Sequence, residues 1–126
     1  YRRTYQAVLG VCNLEERRIG YNIVTYIVEN QREEISAQLV AKKFEISVAD
    51  LNKILLLQVE KNFIEFLHSL RINSACQLLI NTDMTITDIA IEVGFNTVKT
   101  FTRNFVLQKG ITPNNYRMKV RSERGE

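Results

Sequence analysis

Residues 85–110 read TITDIAIEVGFNTVKTFTRNFVLQKG, and this string spells out two helices joined by a tight turn. Thr85 stands three residues before Asp88, a capping-box-like pair that opens a short helix over about 86–93. Gly94, which takes positive φ at low cost, closes it. The next helix covers about 97–108 and stops at Gly110. On it Val98, Phe101 and Phe105 fall on one face, while Lys99, Thr102 and Arg103 fall on the other. The apolar face welds the helix to its shorter neighbour, which leaves the polar face outward.

The stretch 36–60 follows the same plan. Ala41, Ile46, Leu51 and Leu55 correspond to Ala90, Phe95, Phe101 and Phe105, with one extra residue in the second turn. A short helix, a tight turn and a longer helix make a helix-turn-helix unit, so the chain carries two. The small alanine lets the longer helix cross closely over the shorter one. The outer face of the longer helix is then able to enter a DNA major groove.

Outside these units, apolar residues recur at helical spacing, Pro113 is the sole proline and the five glycines are scattered. Seven helices are expected: about 16–31, 37–44 behind Ser36, 48–59 behind Ser47, 62–81, 86–93, 97–108 and a last one from Pro113. The helix at 62–81 places Phe63, Phe66, Leu67, Leu70, Ala75, Leu78 and Leu79 on one side. Its roughly 30 Å length approaches the roughly 34 Å of one DNA turn, so it is expected to be a strut between the units. The fold class is therefore all-α: a seven-helix domain with two helix-turn-helix subdomains, homeodomain-like units, joined by a long central helix. Residues 1–15 are expected to be a linker or the end of a preceding domain, 16–120 the DNA-binding domain with its units at about 36–60 and 85–108, and 121–126 a basic tail.

With 126 residues, 45% of them hydrophobic, the chain can bury a core without metals or disulfides. It has no apolar run of membrane-spanning length and no exported leader, so a cytoplasmic protein with no membrane partner is expected. It begins at Tyr1, so an N-terminal partner domain is expected to be absent from this chain. Cys12 and Cys76 are far apart and His68 is the lone histidine, which leaves no metal-ligand spacing and favours free buried thiols. No cofactor is expected. No phosphate-cradling glycine loop and no paired nucleophile and base can be written down, so the chain reads as a non-enzyme, with Asp83 and Asp88 as capping residues.

Charge is uneven along the chain. The net charge is +3, yet residues 96–126 hold seven basic side chains (Lys99, Arg103, Lys109, Arg117, Lys119, Arg121 and Arg124) against Glu123 and Glu126. A basic C-terminal third on a near-neutral body suits a polyanion, since neutralised phosphates release counterions. In the second unit Arg103 can pair bidentately with guanine, Lys99 can reach guanine or phosphate, and Asn96 and Thr97 can donate to the backbone. The first unit offers less: Val48 or Ala49 for a thymine methyl, Asn52 for adenine and Lys53, with four basic residues against five acidic over 32–60.

From about Ile23 to Arg117 the chain resembles the DNA-binding domain of the AraC/XylS family of bacterial regulators. Most of the likeness is carried by Arg71-Ile72, Ala75, Leu78-Leu79, Ile86, Ile89-Ala90, Gly94-Phe95, Phe101, Arg103, Phe105, Gly110, Thr112-Pro113 and Tyr116-Arg117. The resemblance implies tandem helix-turn-helix units, binding of promoter double-stranded DNA, activator behaviour through RNA polymerase, and an N-terminal sensing or dimerisation domain. It also implies base contacts at Ala49, Asn52 and Lys53, and at Val98, Lys99, Thr102 and Arg103. Four features depart from the family pattern. Glu45 and Glu60 stand where glycine is common, and Leu56-Leu57 and Val106-Leu107 stand where lysines are frequent. Either the helix ends repack and bury these apolar residues, or Leu56, Leu57 and Leu107 form a contact surface for a partner. The rival function is a protein interaction module that descends from a helix-turn-helix regulator and has lost specific DNA reading.

Overall fold

The computed structural model describes residues 14–125. Among them lie seven α-helices and no strand: α1 (Leu14–Glu29), α2 (Ala37–Lys43), α3 (Val48–Val59), α4 (Phe63–Asn81), α5 (Ile86–Glu92), α6 (Val98–Lys109) and α7 (Pro113–Glu123). The expected order holds. The expected linker falls largely outside the described residues, as does Cys12, while Leu14 and Glu15 already belong to α1. The first helix stops at Glu29 instead of reaching 31. There Asn30 turns both its backbone N–H and its side-chain Nδ2 onto Tyr26 O, at 3.0 and 2.8 Å, and ends the ladder.

The described residues divide into two compact units, one formed by those up to Asn30 with Glu34–Leu67, the other by Gln31–Glu33 with those from His68 onward. In the first, α1 and α2 both pack on α3, burying Ile23 and Ile27, Val40 and Ala41, and Leu51 and Leu55. Tyr26 meets Phe44 edge-on at 5.9 Å and carries the Lys43 ammonium over its face at 5.0 Å.

The second unit is built around a run of rings. Phe95 contacts Phe101 at 5.5 Å, Phe101 contacts Phe105 at 5.8 Å, and Phe105 meets Tyr116 edge-on at 5.4 Å. Around them Ile72, Ala75, Cys76, Leu79, Ile89, Ala90 and Val93 complete one buried cluster. Truncating a fully buried phenylalanine such as Phe101 or Phe105 to alanine costs about 3–5 kcal/mol, so these two residues hold α6 in place.

One apolar side does not describe α4. Phe63, Phe66 and Leu67 are buried near its start and Ile72, Ala75, Cys76 and Leu79 farther on, whereas Leu70 and Leu78 are only half-buried. The helix begins in one unit and ends in the other, and each unit takes the face it needs. Its N-terminus carries a capping box: Asn62 Oδ1 accepts from Glu65 N at 2.9 Å, and Glu65 Oε1 accepts from Asn62 N at 3.0 Å.

Beyond the other end of α4, two arginines of α7 donate to main-chain oxygens. Arg117 reaches Leu79 O at 3.0 Å and Thr82 O at 3.2 Å. Arg121 donates to Thr82 O at 2.6 Å and pairs with Asp83 at 3.0 Å. Cations here satisfy carbonyls that lack helical partners and suit the negative end of the helix dipole. Two sequence expectations change as a result. The basic tail expected at 121–126 is α7 as far as Glu123, and part of the C-terminal charge excess is committed to the fold.

Arg71 plays a similar part within the second unit. It is buried, its Nε donates to Gln31 O at 2.6 Å and an Nη to Glu33 O at 2.8 Å, and its guanidinium lies 5.8 Å from the Phe95 ring centre. Burial lowers its pKa from the usual arginine range.

Candidate nucleic-acid interface

The two turns match bond for bond. Ile46 N donates to Ala41 O at 3.0 Å, and Phe95 N to Ala90 O at 2.9 Å; Glu45 N reaches Lys42 O at 3.1 Å, and Gly94 N reaches Ile91 O at 3.0 Å. Ser47 caps α3 through Asp50 N at 3.0 Å, and Thr97 caps α6 through Thr100 N at 3.1 Å. Both helices run for 12 residues and end on a left-handed residue, Glu60 or Gly110. This register pairs Ala49 with Lys99, Asn52 with Thr102, Lys53 with Arg103 and Leu56 with Val106. Glu45 and Glu60 take φ of 56° and 61°, where a side chain is strained.

On α6, Lys99 and Arg103 are exposed one turn apart and Thr102 is half-buried, while Asn96 is exposed in the turn. These residues form the polar face that the sequence predicts. Two other expected contacts move away from it. Val98 is half-buried and packs against the core cluster, as its place on the Phe101 face requires. Thr97 accepts from Thr100 N and hydrogen-bonds to the Thr100 hydroxyl at 3.0 Å, so its side chain is engaged in capping.

The first unit is poorer in donors. Ala49 and Lys53 are exposed, Val48 is half-buried, and Asp50 is exposed beside them. Asn52 is half-buried and engaged by the fold. Its Oδ1 accepts from Phe63 N at 3.0 Å, and that oxygen is the atom that would have to accept from adenine N6. Leu56 is 44% exposed and Leu107 77% exposed, but Leu57 is half-buried, so the three expected partner contacts neither bury together nor all face outward. Val106 is 39% exposed.

Sequence reasoning missed the surroundings of two side chains, Asn104 and His68. Asn104 donates to Thr100 O at 2.9 Å and hydrogen-bonds to His68, whose ring lies 5.4 Å from that of Phe95. Burial lowers the His68 pKa below 6.5; Arg71 and then Arg103 lower it further, and the Asn104 bond opposes them. The residues are 36 positions apart, and no local spacing signals their meeting. Cys76 is a free, buried thiol whose pKa is raised by burial against the opposing hydrogen bond of Tyr116. No cluster of potential metal ligands occurs among the described residues.

A family model described as a helix-turn-helix domain matches residues 40–119. The chain is 30% identical over 106 residues to the HTH-type transcriptional regulator YtdP of Bacillus subtilis, covering 84% of this chain and 14% of that protein. It is 32% identical over 94 residues to the lactose operon transcription activator of Staphylococcus xylosus, covering 75% of this chain and 34% of that protein. Across the curated relatives it matches, it spans 14% to 34% of their length. Among solved structures, the C-terminal domain of the response regulator AraT from Geobacillus stearothermophilus matches with a TM-score of 0.76 and 27% identity, over 80% of this chain and 84% of that one. The DNA-binding domain of AdpA, solved with a target DNA, shares the fold with a TM-score of 0.80 at 20% identity, over 85% and 96% of the two chains.

Proposed function

This chain belongs to the AraC-type helix-turn-helix family of transcription regulators, and from that premise we propose that it binds promoter DNA sequence-specifically, with the second unit supplying most of the discrimination. The observation that carries this is the outward pair Lys99 and Arg103 on a helix held by buried Phe101 and Phe105. Arg103 reads guanine through its bidentate fork, Lys99 supplies guanine or phosphate contact, and Thr102 and Asn96 add polar contacts. In the first unit Ala49 touches a thymine methyl and Lys53 meets phosphate. With Asn52 held by Phe63, this unit reads little else.

An activating role rests on the lactose operon activator among the relatives. RNA polymerase and an N-terminal sensing or dimerisation domain are the further partners proposed, together with a cytoplasmic location. No helix among the described residues is long and apolar enough to cross a membrane. One observation favours the interaction-module reading: Leu107 is 77% exposed on the same helix as Arg103. Selection of bound duplexes from a random DNA pool separates the two. The DNA-reading function yields an asymmetric site with its information concentrated under α6, whereas the interaction module yields no enriched sequence and only salt-sensitive background binding.

A further inference from the structure

The outward face of α6 continues past Arg103. At about 3.6 residues per turn, Val106 stands about 20° from the line of Lys99 and about 60° from that of Arg103, one turn farther along the helix. Its Cα–Cβ bond leans toward the helix N-terminus, and so toward Arg103. Val106 is exposed, while the neighbouring Phe105 is fully buried and fixes the rotation of the helix. The helical ladder is intact there, since Gly110 N donates to Val106 O at 2.8 Å. The matching position of the first unit repeats the arrangement: Leu56 follows Lys53 by one turn, is exposed, and its carbonyl accepts from Glu60 N at 3.0 Å. Leu107 has no such counterpart, because Leu57 is half-buried. An exposed aliphatic side chain one turn beyond the outward cation is therefore common to both longer helices.

Beyond Arg103 this face offers no cation to a phosphate. Lys109, the basic residue of the last turn, donates to Asn73 Oδ1 of α4 at 3.2 Å. What the end of the face can meet in a major groove is therefore apolar, and among the base edges displayed there the apolar group is the C5 methyl of thymine. Arg103 and Val106 are about 4.5 Å apart along the helix axis, close to the about 3.4 Å that separates successive base pairs. Valine suits such a contact, because its branched Cβ leaves one preferred rotamer in a helix and little freedom is lost when its methyls are covered. We propose that Val106 is a specificity-determining residue, which covers the C5 methyl of a thymine adjoining the guanine read by Arg103. This rests on the DNA-binding function proposed above and adds an apolar determinant to its polar ones.

Deoxyuridine isolates the methyl, since it pairs as thymidine does and lacks only that group. A duplex enriched from a random pool by the native chain is resynthesised with each thymine replaced in turn by deoxyuridine. Affinity is then measured by anisotropy for the native chain and for Val106→Ala, an exposed change to the strongest helix former. The expected result is one thymine, adjoining the guanine whose preference Arg103→Ala abolishes, where removal of the methyl weakens the native chain about fourfold, the worth of one buried methyl-sized group. Val106→Ala is expected to bind the thymine and deoxyuridine duplexes equally at that position, with an unchanged salt slope because no charge is lost. A selected site with no thymine beside that guanine, a native chain indifferent to deoxyuridine there, or a methyl effect that survives in Val106→Ala overturns the assignment while leaving DNA binding intact. A chain that enriches no duplex overturns both.

Discussion

Asn52 Oδ1 accepts the backbone N–H of Phe63 at 3.0 Å, and in the second repeat the position of Phe63 is held by Pro113, which has no N–H to offer. The difference sets the fate of the matching side chains. Asn52 is drawn into the fold to satisfy the first turn of α4, while Thr102, its counterpart, has no such donor to serve. Asn52→Ala is expected to lower stability by about 1 kcal/mol in urea unfolding, comparable to losing a helix cap. Asn52→Asp, which keeps the acceptor, is expected to retain most of that stability. Neither variant is expected to change which base is preferred at any position of a selected site.

The left-handed residues supply a matched set of stability measurements. Glu45→Gly and Glu60→Gly are each expected to stabilise the chain by about 0.5–1 kcal/mol, because relief of the left-handed strain outweighs the added flexibility of the unfolded chain. The reverse change depends on surroundings. A Cβ at Gly110 meets nothing within 4 Å, so Gly110→Ala is expected to cost only the conformational penalty of about 1–2 kcal/mol. At Gly94 the added carbon would lie 2.8 Å from Arg71 Nε and 3.1 Å from Arg32 O, and Gly94→Ala is expected to cost clearly more in the same denaturation assay.

The basic residues of the C-terminal third are expected to separate into two classes when binding and stability are both measured. Arg117→Gln removes donors from Leu79 O and Thr82 O and is expected to cost about 1–3 kcal/mol of stability. It is expected to leave the salt dependence of DNA binding unchanged. Lys99→Ala is expected to do the opposite, with unaltered unfolding and a salt slope reduced by about 1.

Much of this architecture is legible in the sequence because its signals are local. Ser36, Ser47, Thr85, Thr97 and Thr112 each cap the helix that follows, and Phe101 and Phe105 recur at the spacing that buries them. The illegible part is contacts between positions far apart in the chain. Nothing near Arg117 or Arg121 says that they will seek the carbonyls past the end of α4, and so a charge count overstates the cations left for DNA. Likewise the angular position of Asn52 puts it on the outward face, and only its meeting with Phe63 turns it inward. His68 and Asn104 are read as unrelated until α4 and α6 come together.

Stability is expected to depend on pH through His68. Its folded-state pKa lies below the unfolded value of 6.5, so the unfolded chain binds the proton more readily. The contribution of the neutral imidazole is therefore complete above about pH 6.5 and declines as the pH falls through the folded-state value. Thermal unfolding of the free chain is expected to show a fall in Tm over that window, and His68→Gln is expected to flatten it.

The central measurement is the sequence preference of Arg103→Ala beside that of the native chain, each selected from the same random duplex pool and then titrated at several salt concentrations. Loss of discrimination at one base pair, a penalty of about 1–3 kcal/mol on the selected site and an unchanged unfolding curve are the expected results. An Arg103→Ala chain that selects the same sequence with the same affinity and salt slope would contradict the claim that α6 reads DNA through its outward face.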